Sequence, residues 1–180
     1  MTSCLHFARL ALVLLAHAGA ACRPPPDAAA VDAAPAWVEL GTGAEGFVPL
    51  VAAGPLALYT GMQGGFHLFL SLRAGNLAPG DPTLTTVSCD SEDARDNPCI
   101  DLVVREGDAE LDLFVPLRLA LDGDGDGAYL LPRPRLVQLD VPDVAALAGR
   151  SVTVRATVTD RFGVSAEATV SATVVPAALE

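Results

Sequence analysis

"SVTVRATVTDRFGVSAEATVSATV", residues 151–174, decides the fold of this 180-residue chain. Val152, Val154, Ala156 and Val158 alternate with polar residues. After the intervening "DRFG", Val164, Ala166, Ala168, Val170, Ala172 and Val174 do the same. A period of two puts every second side chain on one face of an extended strand, so each run has a face to bury. Asp160 and Gly163 supply the turn chemistry between them. The stretch therefore predicts a β-hairpin with one buried face.

Outward from that hairpin, the chain from Trp37 onward consists of short apolar runs punctuated by Gly and Pro. In "ELDLFVPLRLAL", residues 110–121, the spacing predicts Leu111, Leu113, Val115, Leu117, Leu119 and Leu121 on one face of a long strand. Pro116 cannot donate to a ladder, which puts that strand at an edge or bulges it there. Further strands are expected at 37–40, 47–51, 56–60, 66–73, 84–89, 100–105 and 135–141. "PDVAALAG", residues 142–149, predicts a helical turn capped by Asp143 and stopped by Gly149. Many short strands with frequent turns predict an all-β sandwich over residues 37–180.

Residues 143–174 also resemble the last two strands of bacterial immunoglobulin-like and cadherin-like domains. There a one-turn connection leads into a strand, an Asp-x-x-Gly turn and a final strand. The resemblance covers about a fifth of the chain and implies an Ig-like β-sandwich. "ELGTGAEGFVPL" followed by "GMQGGFHLFLSLRAGNL" looks like the opening of uncharacterised lipoproteins of high-GC Gram-negative bacteria. That likeness implies location and fold, and no activity.

The N-terminus, "MTSCLHFARLALVLLAHAGAAC", has one cation, Arg9, an apolar stretch from Leu10 to Ala16, small residues up to Cys22, and no acid. This is the layout of an export signal over residues 1–21, with an apolar stretch shorter than the about 20 residues a membrane-spanning helix needs. "AGAAC" resembles a bacterial lipobox, which implies that Cys22 receives the lipid and becomes the mature N-terminus. Gly19 stands where that pattern usually has Leu, and cleavage after Ala20 to a soluble exported protein is the competing outcome. Cysteine parity favours lipidation: Cys4 leaves with the signal, Cys89 and Cys99 can pair in an oxidising compartment, and Cys22 would otherwise be odd. Several acyl chains, at about 0.8 kcal/mol per buried CH2, hold such a protein durably on a membrane. By the family's sorting pattern, Arg23 after the cysteine implies the outer membrane.

Residues 22–36 read as a Pro/Ala-rich tether, "RPPPDAAAVDAAPA" after the cysteine, able to reach roughly 40 Å when extended. From Cys22 onward ten basic residues, all Arg, face 22 acids, so the side chains sum to −12. A surface this acidic, with no basic cluster, argues against nucleic acid and against electrostatic docking on anionic lipid.

Candidate sites are few. "LDGDGDGAYL", residues 121–130, begins like a calcium loop, with Asp122, Asp124 and Asp126 at alternate positions and Gly127 after them. An EF-hand would need a bidentate Glu at position twelve, where Arg133 stands between Pro132 and Pro134. What remains is an Asp-Gly hairpin turn or a weak calcium site using the three carboxylates, with affinity on the order of 0.1 to 1 mM. Cys89 and Cys99 enclose "DSEDARDNP" and are expected to form a disulfide worth roughly 2.7 kcal/mol in the chain-entropy picture. A thiolate metal site would need a second cysteine pair. Asp90, Glu92, Asp93 and Asp96 inside that loop read as a solvated acidic surface. "GTGAEG", residues 41–46, has dinucleotide-type spacing, but "FVPL" follows instead of a helix, so it reads as a turn. Gly64 and Gly65 read as the end of a turn.

His67 is the sole histidine after the signal and has no nucleophile elbow, zinc motif or lysine to work with. The expectation is therefore a non-enzymatic binding or structural module, lipid-anchored in the envelope, with an envelope protein or polysaccharide as partner. A secreted hydrolase using a carboxylate pair is the alternative.

Overall fold

The computed structural model describes residues 34–62, 64–125 and 127–177. The export signal, Cys22 and most of the tether lie outside them, as does Asp126. From Ala34 the chain forms one compact unit, and it is all-β. In chain order the strands are β1 (Trp37–Thr42), β2 (Val48–Pro49), β3 (Pro55–Thr60), β4 (Phe66–Gly75), β5 (Val87–Ser88), β6 (Cys99–Glu106), β7 (Ala109–Glu110), β8 (Leu117–Arg118), β9 (Asp122–Gly123), β10 (Tyr129–Leu130), β11 (Arg135–Leu139), β12 (Ser151–Thr159) and β13 (Ser165–Pro176).

The hairpin read from residues 151–174 is β12–β13, antiparallel from Ser151 opposite Thr173 to Thr159 opposite Ser165. Val152, Val154, Ala156 and Val158 are buried, as are Ala166, Ala172 and Val174. Val164 is not part of the strand: its N–H donates to Asp160 Oδ1 (2.9 Å), which keeps it in the turn and 41% exposed. β6 lies on the other edge of β12, and β8 and β7 lie beyond β6. Opposite this layer, β4 is flanked by β1 on one edge and by β10 and β11 on the other. Leu68, Leu70 and Leu72 of β4 meet Leu102, Val104, Val154 and Val158 in a common core. Each fully buried leucine contributes about 1.5–3 kcal/mol relative to exposure.

The two layers are joined at both margins, so the sheet curls around its core. β3 makes one junction: Pro55–Leu58 pairs in parallel with β13, and Tyr59 and Thr60 then pair with His67 and Phe66 of β4. Residues 111–113 make the other. Leu111 N–H donates to Val104 O of β6 (2.8 Å), while Asp112 bridges Leu139 and Leu113 N–H donates to Gln138 O of β11 (2.9 Å).

That second junction corrects the long strand expected over 110–121. Leu111, Leu119 and Leu121 are buried, but Leu113 and Val115 are 56% and 57% exposed. Two local causes break the alternation. Asp112 turns the chain by accepting Val104 N–H at one carboxylate oxygen (2.6 Å) and Phe114 N–H at the other (3.3 Å). Pro116 has no N–H to continue a ladder, and only Leu117–Arg118 pairs again. The strand expected at 84–89 is likewise reduced to Val87–Ser88, because Asp81 Oδ1 folds the preceding segment onto Thr83.

The 142–149 turn is a 3-10 turn at Val144–Ala146, capped as expected by Asp143 accepting Ala146 N–H (2.7 Å), with Gly149 at φ +78°. Cys89 and Cys99 form a disulfide, Cα to Cα 5.5 Å, that ties the acidic loop to the start of β6.

Candidate binding surface

The aspartate run at 122–126 folds as the expected hairpin between β9 and β10, closed by Asp124 N–H donating to Ala128 O (3.1 Å). Asp122 is exposed in β9. Asp124 points the other way, onto the outer face of β4, where its carboxylate accepts Arg73 Nε–H at 2.7 Å with only 11% of the side chain exposed. Arg73 also lies over the Phe47 ring (5.6 Å to the centroid). The counter-charge for Asp124 thus comes from within the fold. Among the described residues no three His, Cys, Asp or Glu side chains are gathered as a metal site; Asp126 lies outside them.

The glycine run at 41–46 is the β1–β2 turn. A Cβ on Gly41 would lie 2.3 Å from the Phe47 ring, so the glycine is there to let that ring fold onto the strand. Gly75 does the same for Trp37, its cross-strand partner, whose indole lies 2.4 Å from where a Cβ would be. Both aromatic rings lie against glycine backbone in paired strands.

His67 stands on the outer side of β4 within an aromatic cluster. It stacks on Tyr59 (centroids 5.8 Å) and meets Phe69 edge-on (5.2 Å). Burial holds its imidazole below the ordinary value. Asp112 is shifted the other way, raised mainly by burial, but both its oxygens already hold backbone N–H groups. Of the acidic loop residues, Glu92 pairs with Arg95 and Asp96 with Arg161 (3.1 Å).

One broad concavity, about 1010 Å³, runs between the 43–48 turn, Tyr59 and Pro176; among the described residues Glu45 is the only charged one in its wall. Polar groups converge elsewhere. A cleft of about 300 Å³ is lined by Pro82, Leu84, Thr86, Leu119, Asp122 and Pro132 together with Arg133 and Arg135. The same two arginines border an adjoining depression of about 510 Å³, walled by Leu113, Phe114, Val115, Leu117, Leu136 and Gln138. Arginines and apolar side chains therefore share one surface, on the side where residues 111–113 join the two layers.

These arginines differ from the others. Arg73, Arg95, Arg105, Arg150, Arg155 and Arg161 each have a carboxylate partner. Arg118 donates to the carbonyls of Cys89 and Asn97. Among the described residues nothing pairs with Arg133 or Arg135, and Arg135 Nε is buried with no acceptor. Arg135 also has the inward parity of Val137 and Leu139, which are buried on the same strand. An unpaired donor removed from water costs about 1–3 kcal/mol, so this arrangement is held at a cost to the fold. Burial pushes the Arg135 guanidinium below its ordinary value.

Sequence reasoning missed this site. The signal available was "PRPR", residues 132–135, where prolines hold two arginines in extended backbone. Comparison with protein-family models, with curated proteins and with solved structures finds no match for the chain.

Proposed function

We propose that this chain is a lipid-anchored protein of the bacterial envelope whose β-sandwich, Ig-like in its closing hairpin, is a binding module for another envelope protein. In this reading Cys22 carries the lipid in the outer membrane, residues 22–36 space the domain from the headgroups, and the surface around residues 113–115 and 133–136 meets the partner. The observation that carries the binding role is the exposure of Leu113, Val115 and Leu136, each more than half exposed, around one depression. Contiguous apolar surface of this kind, rimmed by polar groups, characterises interaction sites in soluble domains. A protein partner fits better than a polysaccharide, because branched aliphatic side chains pack against aliphatic side chains.

Two measurements test the reading. Metabolic labelling with a fatty acid and detergent phase partition of the wild type and Cys22→Ser test the anchor; identical aqueous partition of both overturns it. A photo-crosslinking residue at position 136 in intact cells should trap a discrete protein adduct that one at the exposed Glu167 does not. Equal adducts at both positions, or turnover of a glycan or peptide by the purified chain, would overturn the binding role.

A further inference from the structure

Resting on the binding-module reading, we infer that the cleft at Arg133 and Arg135 takes the C-terminal carboxylate of a partner polypeptide whose last residue is apolar. Arginine presents paired N–H donors in a fork that matches a carboxylate, and here two guanidiniums border one cleft with no carboxylate of the described chain satisfying them. In a chain with 22 acids, intramolecular partners are abundant, and every other described arginine has found an acceptor. The Nε of Arg135 is buried without an acceptor, so the fold holds this guanidinium at the cleft wall at a cost that no bond within the described residues offsets. Its depressed basicity is what burial without a counter-ion produces, and a bound carboxylate would reverse it.

The remaining walls say what accompanies the carboxylate. Leu84, Leu119, Pro82 and Pro132 offer aliphatic contact, and among the described residues no aromatic ring that would stack on a sugar lines the cleft. Its volume of about 300 Å³ suits one terminal residue. Asp122 also lines it and opposes an anion, one carboxylate against two guanidiniums. The depression beyond, with Leu113, Val115 and Leu136, continues the surface for residues upstream of the terminus. Capture of a terminal carboxylate is an established mode of peptide recognition.

The test uses the full processed chain in detergent micelles and calorimetry with N-acetyl-Ala-Ala-Val-Leu as its free acid, as its C-terminal amide, and glucuronate as the sugar acid. The free acid should bind, the amide at least tenfold more weakly, and glucuronate no better than the amide. Arg135→Gln should cost at least tenfold in affinity for the acid. Arg133→Gln, at an exposed position where folding is not at stake, should also weaken it, with a shallower salt dependence. Equal binding of acid and amide, preference for glucuronate, or no heat from the acid at millimolar concentration would each overturn the inference. A crosslinked partner at position 136 alongside peptide silence would sink this inference and leave the binding module standing.

Discussion

Asp160 links the hairpin that decides the fold to a loop far away in sequence, and its removal should cost far more than an ordinary substitution of a polar residue. The residue is 5% exposed. Oδ1 accepts the N–H groups of Phe162 (2.8 Å) and Val164 (2.9 Å), and Oδ2 accepts that of Ala78 (2.9 Å). Hydrogen bonds to a charged group contribute about 1.5–3 kcal/mol each. Phe162 and Val164 are themselves exposed, so water recovers part of what their amides lose, whereas the Ala78 amide is partly buried. Asp160→Ala should therefore cost about 3 kcal/mol, which for a domain of this size lowers the melting temperature by about 6–12 °C. Asp160→Asn keeps an oxygen for the turn but sets an NH2 against the Ala78 amide, and should cost about 1–2 kcal/mol. The assay is urea unfolding of the Cys22→Ser chain followed by fluorescence of Trp37, the sole tryptophan, with amide exchange at Ala78 as a local reading. A loss below about 1 kcal/mol for the alanine variant, or unchanged Ala78 exchange in both variants, would refute the argument that this carboxylate staples the loop to the hairpin.

Reduction of the Cys89–Cys99 disulfide, or Cys99→Ser with Cys89→Ser, should lower stability by about 2–3 kcal/mol, read from the shift of the urea midpoint at constant slope. For His67, burial depresses the folded pKa, so between that value and 6.5 the unfolded chain binds more protons. Its share of stability is complete above pH 6.5 and is lost as pH falls through the folded pKa. Thermal melts from pH 8 to 5 should show a slope in the wild type that His67→Gln lacks. Leu113→Ser should change stability by no more than about 0.5 kcal/mol, whereas Leu119→Ala, three steps further along the same apolar alternation, should cost about 2–5 kcal/mol. Equal losses at the two positions would restore the continuous strand.

How far the fold was legible depended on whether a segment answered to its neighbours in sequence alone. The 151–174 hairpin was readable because its alternation, its turn and its partner strand all lie within 24 residues, and the register needs no distant contact. The Asp143 cap and the β9–β10 turn were readable for the same reason. The 110–121 alternation was misleading: six leucine and valine positions obey period two, yet two face solvent. Periodicity reports what a strand would bury if it stayed in one sheet, and Asp112 moves this one from β6 to β11 by binding the Val104 amide eight residues earlier. Nothing in the pattern of hydrophobic residues records such a crossing.

The candidate surface was hidden for a related reason. Arg133 stood out in the sequence only as the residue where a calcium loop needs Glu, and position 135 only as the start of an expected strand, because whether an arginine is paired depends on which carboxylates the fold brings near it. Asp124 shows the converse: the fold sets its carboxylate against Arg73, 51 residues away, a pairing that local spacing does not record.

The sequence alone determined the all-β class, the closing hairpin, the disulfide pair and an acidic surface without a basic cluster, because each rests on local spacing, composition or parity. Only tertiary structure decided the curled sheet joined by β3 and residues 111–113, the pairing of Asp124, and the meeting of two unpaired arginines with exposed leucines. Backbone propensity and alternation act over a few residues, whereas burial and ion pairing are settled between segments far apart in the chain.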